Sequence, residues 1–458
     1  MTESVPAFSL TERIAAFTSG LEFATLPDDV VELVRLCLLN AYGIALCGLD
    51  TPYAPVARVT ALAMDGELAQ GATLLGDGRR TTIGGACLAN SALFHGRAQE
   101  DTCGAAHFGT VLVPLLTALI EARGLSAAEL IPALVAGYEA GGAIERVFAR
   151  RSTPAGFRST AVYGTIAAAA ATARLMRMDA ATTAAALANA ANFTGGLLQS
   201  FAEGTDEWRY QPGIVARSGW VASELARAGS VSTAQAIEGR SGVGRAFAGQ
   251  ACDVEEIVGA LGHEWAIRRV TFKPHPVCAF NQTPVTAVLA TRDEVLAGGE
   301  IKAVRVRMNP FETGYAGMGA TGPFTTISGT LMSIPFCIAT TLAHGAPSVA
   351  RMTAYDDPAV NTLERRITLV TDPGVPTLCA VIEVDFASGK TLVHRQMMVE
   401  TDYQFDRAGL LTMLRRIAAE QRLNPDLIDS IDGFCRALPN ANIAGVIAVF
   451  PQASDNRH

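Results

Sequence analysis

The stretch Phe272-Lys273-Pro274-His275-Pro276-Val277-Cys278-Ala279-Phe280-Asn281-Gln282-Thr283 divides the chain into two kinds of pattern. Before it, apolar residues recur at helical spacing; after it, alternation with a period of two appears. Two prolines one residue apart hold the backbone extended, so Lys273, His275 and Cys278 ride on a stiff, defined path. Upstream, Val30, Val31, Leu33, Val34, Cys37, Leu38 and Ala41 recur on one face, and Pro27-Asp28-Asp29 supplies the acids of a helix start. The Ala-rich runs 161–178 and 180–191 predict two close-packed helices joined near Met178-Asp179. Downstream, 303–308 alternates, 367–370 does so approximately, and 380–386 and 391–399 flank Ala387-Ser388-Gly389-Lys390, a hairpin connection. After Tyr403 helical spacing returns through Leu410, Leu411, Leu414, Ile417 and Ala418. The expected fold class is mainly α: a large all-helical domain formed by both chain ends, 1–270 and 404–458, with a smaller α+β lid domain inserted at 271–403. The cleft of such a pair is the expected ligand site, and 313–329 is the candidate mobile loop.

Composition narrows the function classes. The 458 residues are 49% hydrophobic and 17% charged, with a formal net charge of −8, enough chain to bury a core without staples. The densest apolar stretches carry Glu32, Arg35, Asn40 or Pro114 within or beside them, so no membrane span is expected. The N-terminal residues include acids and a proline where a secretory signal needs a basic start, which predicts a cytoplasmic protein. Nine singly scattered cysteines with no CxxC pair argue against a disulfide framework or zinc ribbon. The acidic balance, without a Lys/Arg run, argues against a nucleic-acid partner. With no P-loop, no GxGxxG in a strand–helix context and no HExxH, neither a cofactor nor a metal is expected, and the chemistry expected is proton transfer by side chains.

Three constellations carry candidate residues. Glu100-Asp101-Thr102-Cys103-Gly104-Ala105-Ala106-His107 is a polar, Gly-punctuated segment between apolar stretches, and His107 is its first acid–base candidate because imidazole titrates near working pH. The same residues also fit a loop in which Asp101 caps a turn and His107 bonds a backbone carbonyl. In the second, around the two prolines, Lys273 and Asn281 are the leading candidates; Cys278 is a proton carrier if a cation lowers its pKa, or else a buried structural thiol. In the third, Arg209 precedes a helix expected from Ile214 to Ala228, and Arg158 precedes the Ala-rich helix. Two arginines at two helix starts suggest a carboxylated ligand, although each also fits a solvated or acid-paired arginine.

Seven segments in order resemble the MmgE/PrpD family: LLNAYGIALCGL (38–49), ALFHGRAQEDTCGAAHFG (92–109), GYEAGGAIERV (137–147), GFRSTAVYGTIAAAAA (156–171), QPGIVARSG (211–219), FKPHPVC (272–278) and SIPFCIATTLAHG (333–345). The resemblance spans nearly the whole chain. It implies the helical domain with inserted lid, a cytoplasmic homodimer, and cofactor-independent proton chemistry on small di- or tricarboxylates, as in 2-methylcitrate dehydratase, cis-aconitate decarboxylase and iminodisuccinate epimerase. Aligned on these segments, His107, Asp101, Thr102 and Lys273 match family positions; taken with the constellations above, the expected catalytic residues are His107, Lys273, Cys278 and Asp101, and the expected substrate-binding residues are Thr102, Arg158, Tyr163, Arg209, His275 and Asn281.

The match has departures. Glu100 replaces an Asp, Ala98 stands where the lyases have an aspartate, Arg158 and Gln211 where they have histidines, and Trp208 where a lysine precedes the helix. Cys278 takes the lid histidine position of the decarboxylases. The retained cations suit a carboxylate substrate, whereas the proton relay is altered. The leading expectation is a lyase that takes a proton α to a carboxylate with loss of water. The alternatives are an epimerase or isomerase with two opposed proton carriers, and a carboxylate binder without turnover.

Overall fold

The computed structural model describes residues 8–451. Among the described residues it is mostly helical, with a four-stranded sheet and two short two-stranded pairings, and the chain divides into two compact units. The first comprises the described residues of Met1–Gly196, Arg209–Val270 and Asp406–His458; the second comprises Leu197–Trp208 and Thr271–Phe405.

In the first unit, α1 (Asp28–Leu46) has Asp28 and Asp29 in its first turn and is buried along most of its length. It packs with α3 (Ile83–Phe94), α4 (Gly109–Arg123) and α5 (Leu130–Ser152), and the unit also contains α2 (Tyr53–Asp65), α6 (Ser159–Leu175) and α7 (Ala180–Asn192). The two Ala-rich runs are helices α6 and α7, and Asp179 caps α7 by accepting from the Thr182 N–H. Glycines on α5 let the alanine face of α6 come close: a Cβ at Gly137 or Gly141 would stand 3.1 Å from the Ala167 carbonyl oxygen or 2.8 Å from its Cβ.

The helix expected from Ile214 instead begins at Glu207: α8 spans Glu207–Arg227, with Pro212 inside it. Pro212-Gly213 reads as a break, but a proline near the start forfeits one backbone donor, and Gly213 serves a contact. A Cβ there would lie 2.7 Å from Leu88 Cα and 2.9 Å from the Cys87 carbonyl, both on α3. Arg209 thus sits in the first turn of α8 rather than ahead of a helix.

The second unit is built on α9 (Gln282–Ala297) and a four-stranded sheet of β1 (Ile301–Met308), β2 (Ile367–Thr371), β3 (Cys379–Phe386) and β4 (Thr391–Met397), ordered β2-β1-β3-β4. β1 runs parallel to β2 and antiparallel to β3, and β3 and β4 form the expected hairpin. Alternation decides the faces: Val304, Val306 and Met308 are buried, whereas Arg305 and Arg307 pair with Glu383, Asp385 and Asp372 on the other side. The segment 313–329 is irregular between Pro310–Thr313 and Ile327–Met332, and Glu364 accepts from its Gly322 N–H at 2.7 Å.

Leu197–Trp208 packs with this unit. Ser328 donates to Asp206 at 2.9 Å, Phe201 stacks on Trp208 with centroids 4.9 Å apart, and Tyr315 touches both Phe201 and Phe280.

Helical spacing after Tyr403 gives α10 (Arg407–Glu420), which buries Leu410, Met413, Leu414, Ile417 and Ala418, followed by α11 (Asp426–Ala437). Both belong to the first unit: Arg407 pairs with Glu32 of α1 at 2.7 Å and with Asp432 of α11.

Candidate active site

The polar loop 95–108 links α3 to α4 in the first unit. His95 is the C-cap of α3 and is fully buried. Ala98 takes a left-handed conformation, φ 56°, which costs a non-glycine residue about 1 kcal/mol or more, and the turn brings Glu100 back to His95. The His95 Nδ1 lies 3.0 Å from Glu100 Oε2, and its Nε2 lies 2.7 Å from Arg158 Nη2. Arg158, the N-cap of α6, donates its Nη1 to Gln211 Oε1 of α8 at 3.1 Å. Burial first, with the positive charges of Arg158 and Arg209 adding to it and Glu100 opposing, pushes the His95 pKa down to about 3. The ring is therefore neutral at pH 7.

His107 lies on the same loop, its ring centroid 5.7 Å from that of His95. Its Nδ1 is 2.9 Å from the Asp101 carbonyl oxygen and 3.6 Å from Glu100 Oε1. A carbonyl oxygen only accepts, so the hydrogen of the neutral ring sits on Nδ1 and the lone pair on Nε2. The His107 backbone N–H donates to Thr160 Oγ1 of α6 at 3.0 Å. Asp101 is buried, and its carboxylate accepts from the Tyr138 hydroxyl of α5 at 2.5 Å. Burial, followed by the Asp101 charge, holds the Tyr138 phenol well above its usual range, so it remains a donor.

The other first-unit candidates are placed as follows. Thr102 is buried within this loop. Tyr163 is buried with its hydroxyl 2.7 Å from Ser152 Oγ. Arg209 is fully buried, donating Nη1 to the carbonyls of His95 at 2.6 Å and Gly96 at 2.5 Å, with its guanidinium 3.9 Å above the Tyr53 ring. It thereby closes the C-terminal end of α3, where a cation is favoured.

In the second unit, Lys273 and His275 are buried and Cys278 is half-buried. Gln282 fixes their path, accepting from the His275 N–H at 3.2 Å and donating to the carbonyls of His275 at 3.0 Å and Val277 at 3.1 Å. Asn281 is fully buried and donates to the carbonyls of Leu331 and Met332 at 3.0 and 3.1 Å.

Sequence reasoning passed over His95 and Gln282. The available signal for His95 was a titratable residue in an apolar run with Arg97 and Glu100 just after it, since buried polar groups need partners. Among the described residues no group of three or more His, Cys, Asp or Glu is placed to hold a metal ion. Also among them, no helix is long and apolar enough to cross a membrane.

Two family models match: the MmgE/PrpD N-terminal domain over residues 12–255 and the MmgE/PrpD C-terminal domain over residues 275–398. The chain belongs to the MmgE/PrpD family. Among curated relatives, the cis-aconitate decarboxylase-like protein oryM of Aspergillus oryzae is 28% identical over 292 residues, a match covering 60% of this chain and 60% of that protein. The cis-aconitate decarboxylase of Aspergillus terreus is 24% identical over 390 residues, 78% of each chain. That of strain NIH 2624 is 25% identical over the same length. These relatives are named as decarboxylases or decarboxylase-like, and this MmgE/PrpD chain builds the Glu100–His95–Arg158–Gln211 line in its first unit.

Proposed function

We propose that this protein is a lyase acting on a small di- or tricarboxylate by side-chain acid–base chemistry, removing a proton α to a carboxylate with loss of water, as a 2-methylcitrate dehydratase does. The observation that carries the reading is His107: the Asp101 carbonyl fixes its Nδ1–H tautomer, so Nε2 is the proton acceptor. In the step, His107 Nε2 takes the α-hydrogen as a proton, the C–H electrons become the new double bond, and the hydroxyl on the adjacent carbon leaves with a proton as water. Arg158 is assigned to the substrate's carboxylate, since a guanidinium matches that geometry. In this reading, Arg209 acts through the carbonyls it anchors. Asp101 and Thr102 support His107, and Tyr163 supports the start of α6. Lys273 is the candidate stabiliser of enolate-like charge, Cys278 the candidate proton donor, and His275 and Asn281 support that segment. The relatives' names favour a second reading, loss of carbon dioxide from cis-aconitate, which begins from the same carboxylate grip.

The test is proton NMR in deuterium oxide with citrate, 2-methylcitrate, cis-aconitate, itaconate, malate and iminodisuccinate. A new olefinic signal with loss of water, reduced about 10²- to 10⁴-fold in His107→Ala, supports the dehydratase. Conversion of cis-aconitate with carbon dioxide release selects the second reading. Deuterium exchange at unchanged composition would mean an epimerase; a raised melting temperature without turnover would mean a binder. Turnover undiminished in His107→Ala refutes the assignment.

A further inference from the structure

The line from Glu100 to Arg158 through His95 has only one consistent set of protons. A guanidinium donates and cannot accept, so the 2.7 Å contact makes His95 Nε2 the acceptor and puts the ring hydrogen on Nδ1, facing Glu100 Oε2 at 3.0 Å. A proton added at Nε2 would set N–H against N–H. The backbone of the same residue is pinned as well: its N–H donates to the Ser91 carbonyl at 3.0 Å, and its carbonyl accepts from Arg209 at 2.6 Å. The charged and titratable groups facing the ring are Glu100 from its own loop, Arg158 from α6, Arg209 from α8, and the His107 ring 5.7 Å away.

From this geometry we infer that His95 is a positioning residue: a neutral bridge, tautomer-locked, that ties Glu100 to Arg158 and fixes the guanidinium's orientation. Gln211 holds the Nη1 arm and His95 holds the Nη2 arm, so rotation of the guanidinium breaks both bonds at once. His95 acts through Arg158, not on substrate, and its effect on ligand rests on the proposed reading of Arg158 as the carboxylate grip. The bridge combines one acceptor and one donor on a flat group, which glutamine also supplies and leucine does not.

The first measurement is made on the unaltered protein. With ¹⁵N-histidine labelling, and His95 assigned by the signal missing in His95→Gln, the expected spectrum is a neutral Nδ1–H tautomer unchanged from pH 5.5 to 8. A His95 signal that titrates in this range, or an Nε2–H tautomer, overturns the inference. The second measurement is binding of cis-aconitate by calorimetry. His95→Gln should stay within about threefold of the parent, whereas His95→Leu should lose roughly tenfold or more, the scale of one charge-assisted hydrogen bond. Equal loss in both variants overturns the bridging role. If His95→Leu does not fold, the spectrum and His95→Gln still decide. If the parent neither binds nor turns over any carboxylate, the reading of Arg158 fails, while the spectrum independently decides the bridge.

Discussion

Replacing Glu139 with glutamine should remove a loss of stability that the parent protein undergoes as pH rises from 4.5 to about 7, by an amount the structure sets. Glu139 lies on α5, is buried, and accepts from the Ala266 N–H at 2.5 Å, tying α5 to the turn Ala266–Arg269. Burial pushes its carboxyl up to about 7 from an ordinary 4.5, against the pull of the Ala266 and Ile267 N–H groups and of Arg269 and Arg268. As pH rises through 4.5 the unfolded chain releases this proton, while the folded protein keeps it until about pH 7. The folded state therefore binds more protons across that window, and stability falls as pH rises through it. At roughly 1.36 kcal/mol per pH unit, the loss is about 3 kcal/mol by pH 7 and then levels off. The glutamine side chain has no proton to lose, and its amide oxygen still accepts from Ala266. Its new N–H₂ group adds an offset that is the same at every pH. The decisive quantity is the difference in melting temperature between Glu139→Gln and the parent, followed by scanning fluorimetry from pH 4.5 to 8.5. That difference should grow by about 5 °C across the window, taking a few degrees per kcal/mol for a unit of this size. Parallel curves for the two proteins would refute the reasoning, because they would mean that Glu139 ionises alike folded and unfolded.

Two further outcomes follow from close contacts. Gly213→Ala drives a Cβ into the backbone of α3 at Leu88, so it should cost about 1–3 kcal/mol and reduce turnover by shifting Arg209 and Gln211; thermal melts and the substrate panel read both effects. Gln282→Ala strips the 275–278 segment of its side-chain scaffold and leaves buried backbone groups unpaired at about 1–3 kcal/mol each, so hydrogen exchange there should rise by tenfold or more while exchange in α5 stays unchanged.

Elements whose pattern is local were legible in the sequence. The alanine runs of α6 and α7 and the alternation of β1 with its hairpin neighbours state their period in a few residues. The start of α8 was not legible, because Pro212-Gly213 is local punctuation for a break, whereas what Gly213 serves is an approach to Leu88 far away in the chain. The assignment of Leu197–Trp208 to the second unit likewise depends on partners such as Ser328 and Tyr315. At the site, His107 announced itself through its polar loop; the bond to a carbonyl at Nδ1 is observed, and the proposed acid–base role is compatible with it because that bond leaves the lone pair at Nε2. His95 stayed hidden because its meaning comes from Arg158, 63 positions along, and that of Arg158 from Gln211, 53 further.

The first unit is not finished until late in synthesis. Tyr42 on α1 packs edge-on against Phe434, and Gly43 lies against Leu414, so the face of a helix made among the first fifty residues waits, uncovered, for residues beyond 406. Leu197–Trp208 waits in the same way for Thr271–Phe405. A nascent chain stalled between these points displays apolar surface with its partner still unwritten, the condition under which chaperones bind. Ribosome pausing in the stretch that encodes β1 to β4 should therefore lower the yield of folded protein more than pausing after α11 has been made.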